Sequence, residues 1–169
     1  MLITGRRRGS VATMKKSELD LNNKQWAISA ERDKSGKPQI VPLPDLVTGI
    51  LKDVLKNYNM DSDFVFTTNL KNAVSGFSKA KNELDKITGM QDWTLHDLRR
   101  TCRTSLPRMG FSPFVAKLTI GHTITGIDQV YDRYSYMPEK TEALQKWASF
   151  IEGLTSGKSA KVVAMGKAQ

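Results

Sequence analysis

Three of the four tyrosines in this 169-residue chain lie within one six-residue segment, at Tyr131, Tyr134 and Tyr136. Aromatic packing is one interpretation, because Tyr131 and Tyr134 would share a face of a helix. Covalent catalysis is the other, since a tyrosine hydroxyl can act as a nucleophile when other groups activate it and stabilise the charge that develops. The choice between them depends on what the rest of the chain supplies.

The groups that could stabilise such a charge are cationic side chains in two segments. His96 and Arg99 are three residues apart in a predicted helix and therefore share a face, with Arg103 nearby. The arginines at 6–8 stand at a predicted helix start, where the helix dipole disfavours cations, and this indicates an anion that receives them. The helix face of His96 and Arg99 is also compatible with solvated surface or with simple phosphate contacts. Phosphoryl transfer would need little more than these groups, a lysine and an in-line nucleophile.

Other enzyme classes have weaker support in the sequence. Two histidines and one cysteine are present, without the H-E-x-x-H or C-x-x-C spacing of a zinc site. The Gly36-Lys37 pair lacks the first glycine of a phosphate-binding loop, because Glu31 occupies that position. Cys102 could be a nucleophile with a histidine base, or simply a small buried helix residue. We expect neither a metal site nor a cofactor.

The charge of the chain indicates a polyanionic partner. Lysine and arginine number 26 against 17 acids, which gives a net charge of +9 and a pI near 9.7. Nucleic acid and anionic membranes are the usual partners of such a chain. No apolar run is long enough to span a bilayer, the first ten residues lack a secretory signal, and a single cysteine fits a reducing cytosol. Nucleic acid is therefore the expected partner.

The elements that must position these residues follow from turn and capping signals. A hairpin is predicted with its turn at Asn22 and Asn23, followed by a second turn over 34–38 and a third strand. Helical spacing begins after Pro44. We expect an α+β fold that is mostly α-helical, with a small antiparallel β-sheet near the N-terminus.

The remaining predicted elements are helices. One of them should carry Leu84 and Ile87 inward and stop at Gly89. Further helices are predicted from Thr94 to a kink or end at Pro107, from Ser112 to about Gly121, over 125–134 and over 138–154. Residues 155–169 contain lysines but no acid and are expected to form a basic flexible tail.

These motifs together resemble the catalytic domain of the tyrosine recombinases, most closely that of phage and prophage integrases. TGRRRGSV is similar to the family's first arginine box, DKSGKPQIVPL to its lysine turn and following strand, HDLRRT to its His-x-x-Arg box, and IGH to the box before the nucleophile. A tyrosine follows IGH at the family's usual interval of nine residues. The resemblance runs from Ile3 to about Leu154, and the matched positions are Arg7, Lys34, His96, Arg99, His122 and Tyr131.

The resemblance implies how the phosphate would be held. Arg7 and Arg99 would bind the scissile phosphate as bidentate donors suited to a five-coordinate transition state. His122 would donate a further hydrogen bond to a non-bridging oxygen. His96 would either help to take the tyrosine proton or hold the phosphate, and both roles remain open.

The resemblance also implies the covalent steps. Tyr131 would attack the phosphate and form a 3′-phosphotyrosyl DNA with a free 5′ hydroxyl, without metal or ATP, while Tyr134 and Tyr136 would pack or contact the DNA backbone. Lys34 would protonate the leaving 5′ oxygen as general acid. Lys37 is an equally basic neighbour, and Lys34 is preferred because it precedes the Val-Pro-Leu strand end by the family's interval.

Two departures from the family pattern stand against full activity. Ser10 occupies the position where the family usually has Glu or Asp. The chain also begins six residues before Arg7, whereas family members carry upstream DNA-clamping segments. We therefore expect 1–154 to be an N-terminally truncated catalytic domain, from a cloned fragment or a decayed prophage gene.

The expected function is that of a site-specific DNA recombinase acting in phage or mobile-element integration. The alternative is a catalytically silent prophage remnant that only binds DNA, and type IB topoisomerases share similar chemistry. The expected partners are double-stranded DNA and other integrase protomers, which form a tetrameric synapse in the full-length family, and no membrane. The expected location is the bacterial cytoplasm, at the nucleoid.

Overall fold

The computed structural model describes residues 1–57, 61–123 and 134–156. Within these ranges the chain forms six α-helices and one three-stranded antiparallel sheet of order β1-β2-β3. The helices are α1 Arg8–Ala12, α2 Asp45–Asn57, α3 Phe77–Thr88, α4 Leu95–Arg108, α5 Pro113–Thr119 and α6 Met137–Thr155. The strands are β1 Leu19–Asp20, β2 Gln25–Ile28 and β3 Gln39–Pro42. The predicted fold class is confirmed, while most of 125–134 and of the tail lies outside the described residues.

The sheet is built from the predicted hairpin and the strand that follows the second turn. Asp20 closes the hairpin, because its carboxylate accepts hydrogen bonds from the Asn23 backbone N at 2.9 Å and from Asn23 Nδ2 at 2.7 Å. Trp26 on β2 pairs with Val41 on β3, and Ile28 follows two residues along β2. Side chains alternate between the faces of a strand, so these three apolar residues are buried together on one face.

The two helices that frame the site begin at the predicted caps. Before α4 the Thr94 backbone N donates to Asp97 Oδ2 at 2.8 Å, and before α5 the Ser112 hydroxyl accepts from the Val115 backbone N at 3.2 Å. Helix α4 ends one residue after Pro107, as predicted. These caps fix where each helix starts and hence which side chains reach the interior.

Helix α6, the last helix in the described ranges, ties the end of the described chain to its beginning. Leu144, Trp147 and Ala148 form an apolar stripe on the predicted helix and are buried in the core. Trp147 Nε1 donates to the Leu2 carbonyl at 2.9 Å. The first residues of the chain are therefore held against α6, and they carry the arginine cluster at 6–8 into place.

Helix α3 differs from the prediction in its burial. It ends at Gly89, whose φ of 69° is the expected left-handed cap. However, the prediction that Leu84 and Ile87 face inward is wrong, because their side chains are 42% and 79% exposed. Helical spacing shows which side chains share a face but not whether another element covers that face. None of the helices in the described ranges is long and apolar enough to cross a membrane.

Candidate active site

Arg99 is a buried side chain that joins two distant stretches of backbone. On α4 it lies on the inward face with Cys102 and Leu106. Its Nη1 donates to the Ile120 carbonyl at 2.6 Å and also to the Gly5 carbonyl. Burial and then the nearby Arg7 lower the pKa of Arg99 to about 10, so it stays charged at neutral pH. Arg99 thus brings the start of the chain next to the turn that follows α5.

The arginine cluster at 6–8 divides between the interior and the surface. Arg7 is the extended residue that caps α1, so consecutive side chains point in different directions. Arg6 is buried, whereas a third of the Arg7 side chain is exposed. Both approach Asp33, with Arg6 Nη2 3.3 Å from Oδ2 and Arg7 Nη1 3.8 Å from Oδ1.

Asp33 is fully enclosed yet ionised. Burial alone would raise its pKa, but hydrogen bonds from Ser35 and the charges of Arg6 and Arg7 outweigh that effect and lower the pKa below its ordinary value. The Ser35 backbone N donates to Oδ1 at 2.8 Å. The carboxylate therefore holds the arginine pair as a charged partner.

Arg6 also fixes the turn that carries His122. Gly121, with a φ of 86°, lies so close to the Arg6 guanidinium that an added Cβ would stand 2.5 Å from Cζ and nearer still to Nη1. Neither this role of Arg6 nor its contact with Asp33 was predicted from the sequence. Three consecutive arginines at a helix start were a usable signal, because the helix dipole disfavours cations there, but nothing in the spacing identified Asp33 as their acidic partner.

His122 follows α5 and is half-buried beside the arginines. Its backbone N donates to the Lys117 carbonyl at 3.1 Å, which closes the end of the helix. Burial, followed by the charges of Arg99, Arg103, Arg7 and Lys117, lowers the pKa of the imidazole below 6.5. The ring is therefore neutral at neutral pH and can donate one N–H to an anion.

We expect an NMR titration to show the depressed pKa of His122 directly. Because neighbouring cations oppose the imidazolium, Arg103→Ala should raise this pKa, whereas Arg108→Ala at the end of α4 should leave it unchanged. The chain has two histidines, so His96→Gln identifies the remaining signal as that of His122. A His122 pKa at or above 6.5 in the free protein would contradict the described site.

The same depression affects folding. The unfolded chain binds a proton on this histidine near pH 6.5, whereas the folded chain does so only at lower pH. Protons therefore favour the unfolded state in the window just below pH 6.5, and the contribution of His122 to the free energy of unfolding falls as the pH drops through that window.

The structure brings three of the six predicted site residues together. Two of the others are exposed, and one lies outside the described residues. Arg99 brings Arg7 and the neutral His122 into one cluster of hydrogen-bond donors, because its Nη1 binds the carbonyls two residues before each of them. Lys34 is exposed in the predicted turn between β2 and β3, directly after Asp33. His96 is exposed in the first turn of α4, and Tyr131 lies outside the described residues.

His96 lines a groove together with Arg8, the residue that follows Arg7. The groove has a volume of about 590 Å³ and lies between α1, α3 and the start of α4. Two cations stack on aromatic rings there, Arg8 over Phe77 at 5.1 Å and Lys81 over Trp93 at 5.2 Å.

Cys102 takes no part in this arrangement. Its side chain is buried, and burial raises the pKa of the thiol to about 12. A thiol with that pKa stays protonated at neutral pH and is a poor nucleophile. Cys102 is thus the buried helix residue rather than the nucleophile. Within the described ranges, no group of three or more His, Cys, Asp and Glu side chains could hold a metal ion.

Known proteins of similar sequence are integrases. A model of the phage integrase family matches residues 1–137. The chain is 28% identical over 158 residues to the prophage integrase IntA of Escherichia coli K12, and 24% identical over 158 residues to the prophage integrase IntZ of the same strain. These matches cover 92% and 93% of the chain but only 38% and 39% of the two integrases.

Solved structures of similar fold include a recombinase and a transposon integrase. A crystal structure of XerA recombinase matches 93% of the chain and 55% of its own, with a TM-score of 0.59 and 23% identity. The Tn1549 transposon integrase in complex with transposon right end DNA matches 77% of the chain and 54% of its own, with a TM-score of 0.57 and 16% identity. At these identities the likeness concerns the fold.

Proposed function

Since the chain belongs to the phage integrase family, we propose that it acts as the catalytic domain of a tyrosine recombinase. It would break and rejoin DNA strands at specific sites during the integration of a phage or mobile element. Residues 1–154 would form the catalytic domain and 155–169 a basic tail. The curated relatives are more than twice as long as the matched segment, so upstream and downstream functions of those proteins are not assigned to this chain.

The observation that carries the proposal is the cluster of Arg7, Arg99 and His122. Three donors from three separate segments converge, because Arg99 Nη1 donates to the carbonyls of Gly5 and Ile120, which lie two residues before Arg7 and His122. Burial first, and then the charges of neighbouring arginines, lower the pKa values of Arg99 and His122. Like charges converge at a cost in free energy, which a bound phosphate would offset by accepting their hydrogen bonds. Such an array can stabilise the equatorial oxygens of a phosphoryl-transfer transition state.

The covalent steps follow from this array. The Tyr131 oxygen would attack the phosphorus and lose its proton, with His96 either accepting that proton or binding the phosphate. The bond from phosphorus to the 5′ oxygen breaks, and Lys34 would supply the proton that the leaving oxygen takes up. A 5′ hydroxyl from a partner strand then attacks the phosphotyrosyl bond in reverse, so the bond energy is conserved.

The proposed partner is duplex DNA. The net charge of +9 and the clustered arginines favour a polyanion, and the Tn1549 integrase is a relative in fold that binds DNA. Other protomers would complete a recombination complex, as in the tetrameric synapse implied by the family resemblance. A protein that acts on bacterial DNA would work in the cytoplasm, at the nucleoid.

Formation of a covalent adduct on nicked DNA tests the proposal. Labelled duplexes of random sequence, each nicked so that the short leaving fragment diffuses away, would trap the phosphotyrosyl intermediate on a denaturing gel. We expect an adduct in the presence of EDTA, because arginines and a histidine rather than a metal would carry the charge. A cleavage step that requires magnesium or manganese would refute the tyrosine mechanism. DNA binding without any adduct would instead identify a silent DNA-binding module.

A further inference from the structure

Position 10 cannot support Arg7 in the way the family resemblance leads one to expect. Ser10 is buried in α1 and carries no charge. Its carbonyl accepts a hydrogen bond from Arg32 Nη2 at 3.2 Å, and Arg32 is already paired with Glu18. The surroundings of Ser10 are thus complete without a carboxylate directed at Arg7.

The carboxylate that does reach Arg7 comes from a different element. We propose that Asp33 is a positioning residue that orients Arg7 towards the phosphate and takes over the support that the family usually draws from position 10. This inference rests on the proposed function. Asp33 lies in the turn between β2 and β3, and its two oxygens face Arg6 at 3.3 Å and Arg7 at 3.8 Å.

The turn holds this carboxylate rigidly. The Asp33 backbone N donates to the Ser29 carbonyl at 3.1 Å, the Gly36 N donates to the Asp33 carbonyl at 2.9 Å, and the Ser35 N donates to Oδ1 at 2.8 Å. A carboxylate fixed by its own turn can hold a flexible arginine in one rotamer, which lowers the entropy lost when the phosphate binds.

The buried Arg6 determines which oxygen of Asp33 faces Arg7. Arg6 occupies Oδ2 from the interior, so Oδ1 is the oxygen left to face the partly exposed Arg7. Asp33 lies next to Lys34, the proposed general acid, and therefore connects the turn of the general acid to the arginine that holds the phosphate. Asp33 would thus align Arg7, which precedes β1, with Lys34, which lies between β2 and β3.

Binding of inorganic sulfate separates positioning from simple electrostatics. Asp33→Asn removes a negative charge, so electrostatics alone would tighten sulfate binding, whereas loss of Arg7 orientation would weaken it. We expect Asp33→Asn to bind sulfate about fivefold more weakly. Binding is measured from the His122 ring signal in NMR at constant ionic strength. Asp33→Glu keeps the carboxylate and should stay within about twofold of the original affinity. Asp92→Asn, an exposed acid, is the control and should bind no more weakly than the original chain.

Two further measurements keep the test decisive. If Asp33→Asn alone is too unstable in thermal melts, Arg6→Gln/Asp33→Asn removes both buried charges and is compared with Arg6→Gln alone, since both lack the contact of Arg6 with Gly121. The double variant should bind sulfate about fivefold more weakly than Arg6→Gln, because only it leaves Arg7 unsupported. The rate of adduct formation should also fall about tenfold in Asp33→Asn and in the double variant. Unchanged or tighter sulfate binding by Asp33→Asn, or by the double variant, overturns the inference.

The two proposals fail differently. If Asp33→Asn binds sulfate more weakly but the original chain forms no adduct, the proposed function is refuted and the role of Asp33 in orienting Arg7 stands. A normal adduct rate together with unchanged sulfate affinity in the variants would keep the proposed function and refute the role of Asp33.

Discussion

Replacement of Tyr131 by phenylalanine is expected to abolish the covalent DNA adduct completely, while Tyr134→Phe retains it. The phenylalanine ring has no oxygen to form the phosphotyrosyl bond, so no residual rate remains through this route. Tyr134 is the matched control because it lies three residues away and is half exposed. The measurement is the adduct band on nicked DNA, after both variants have been shown to melt at the temperature of the original chain.

The surroundings of Tyr134 explain why it should be dispensable. Its ring packs edge-on against Tyr136, with centroids 4.8 Å apart. Desolvation and then the Glu139 carboxylate raise its pKa, which makes the phenolate harder to form. An adduct that survives Tyr131→Phe and disappears in Tyr134→Phe would transfer the role of nucleophile to Tyr134.

Gly121→Ala is expected to reduce adduct formation by a factor of about 100 or more and to lower the Tm by about 10 °C. A non-glycine residue at a φ of 86° costs about 1–2 kcal/mol in backbone strain. The new Cβ would also stand 2.5 Å from Arg6 Cζ, so the buried guanidinium must move. Overpacking of this kind costs about 1–3 kcal/mol. The displaced Arg6 would shift Asp33 and His122 together.

Gly110→Ala isolates the effect of the clash. Gly110 has a φ of 95°, but no other side chain or backbone atom lies within 4 Å of the place that an alanine Cβ would take, so the substitution carries the backbone strain alone. We expect a Tm decrease of about 4 °C and a nearly unchanged adduct rate. Equal losses of activity in the two variants would show that the packing of Arg6 on Gly121 does not position the site.

Local signals in the sequence were sufficient to predict structure where a group makes its hydrogen bonds within a few residues of its own position. The hairpin turn, the Thr94 and Ser112 caps and the Gly89 stop each depend on groups within a few residues, and each was predicted. The burial of α3 was not predictable in this way. Ile87 shares a helix face with Leu84, but whether that face is covered depends on which elements pack over it.

The candidate site shows the same division. The motif resemblance identified Arg7, Arg99 and His122, which the structure brings together. The contact between Arg6 and Asp33 spans 27 residues and joins a helix start to a strand turn, so no local spacing predicts it. An ion pair of that kind emerges only when the fold is known.

Arg99 has two tasks, because the side chain proposed to hold the phosphate also holds the backbone at Gly5 and Ile120. Selection that merely keeps the chain folded would therefore retain Arg99 in a gene copy whose chemistry had been lost. Lys34 and His96 have exposed side chains, so such a copy would be free to change them. Among descendants of this gene, drift at Lys34 and His96 would mark the lineages in which recombination has ceased, long before Arg99 changed.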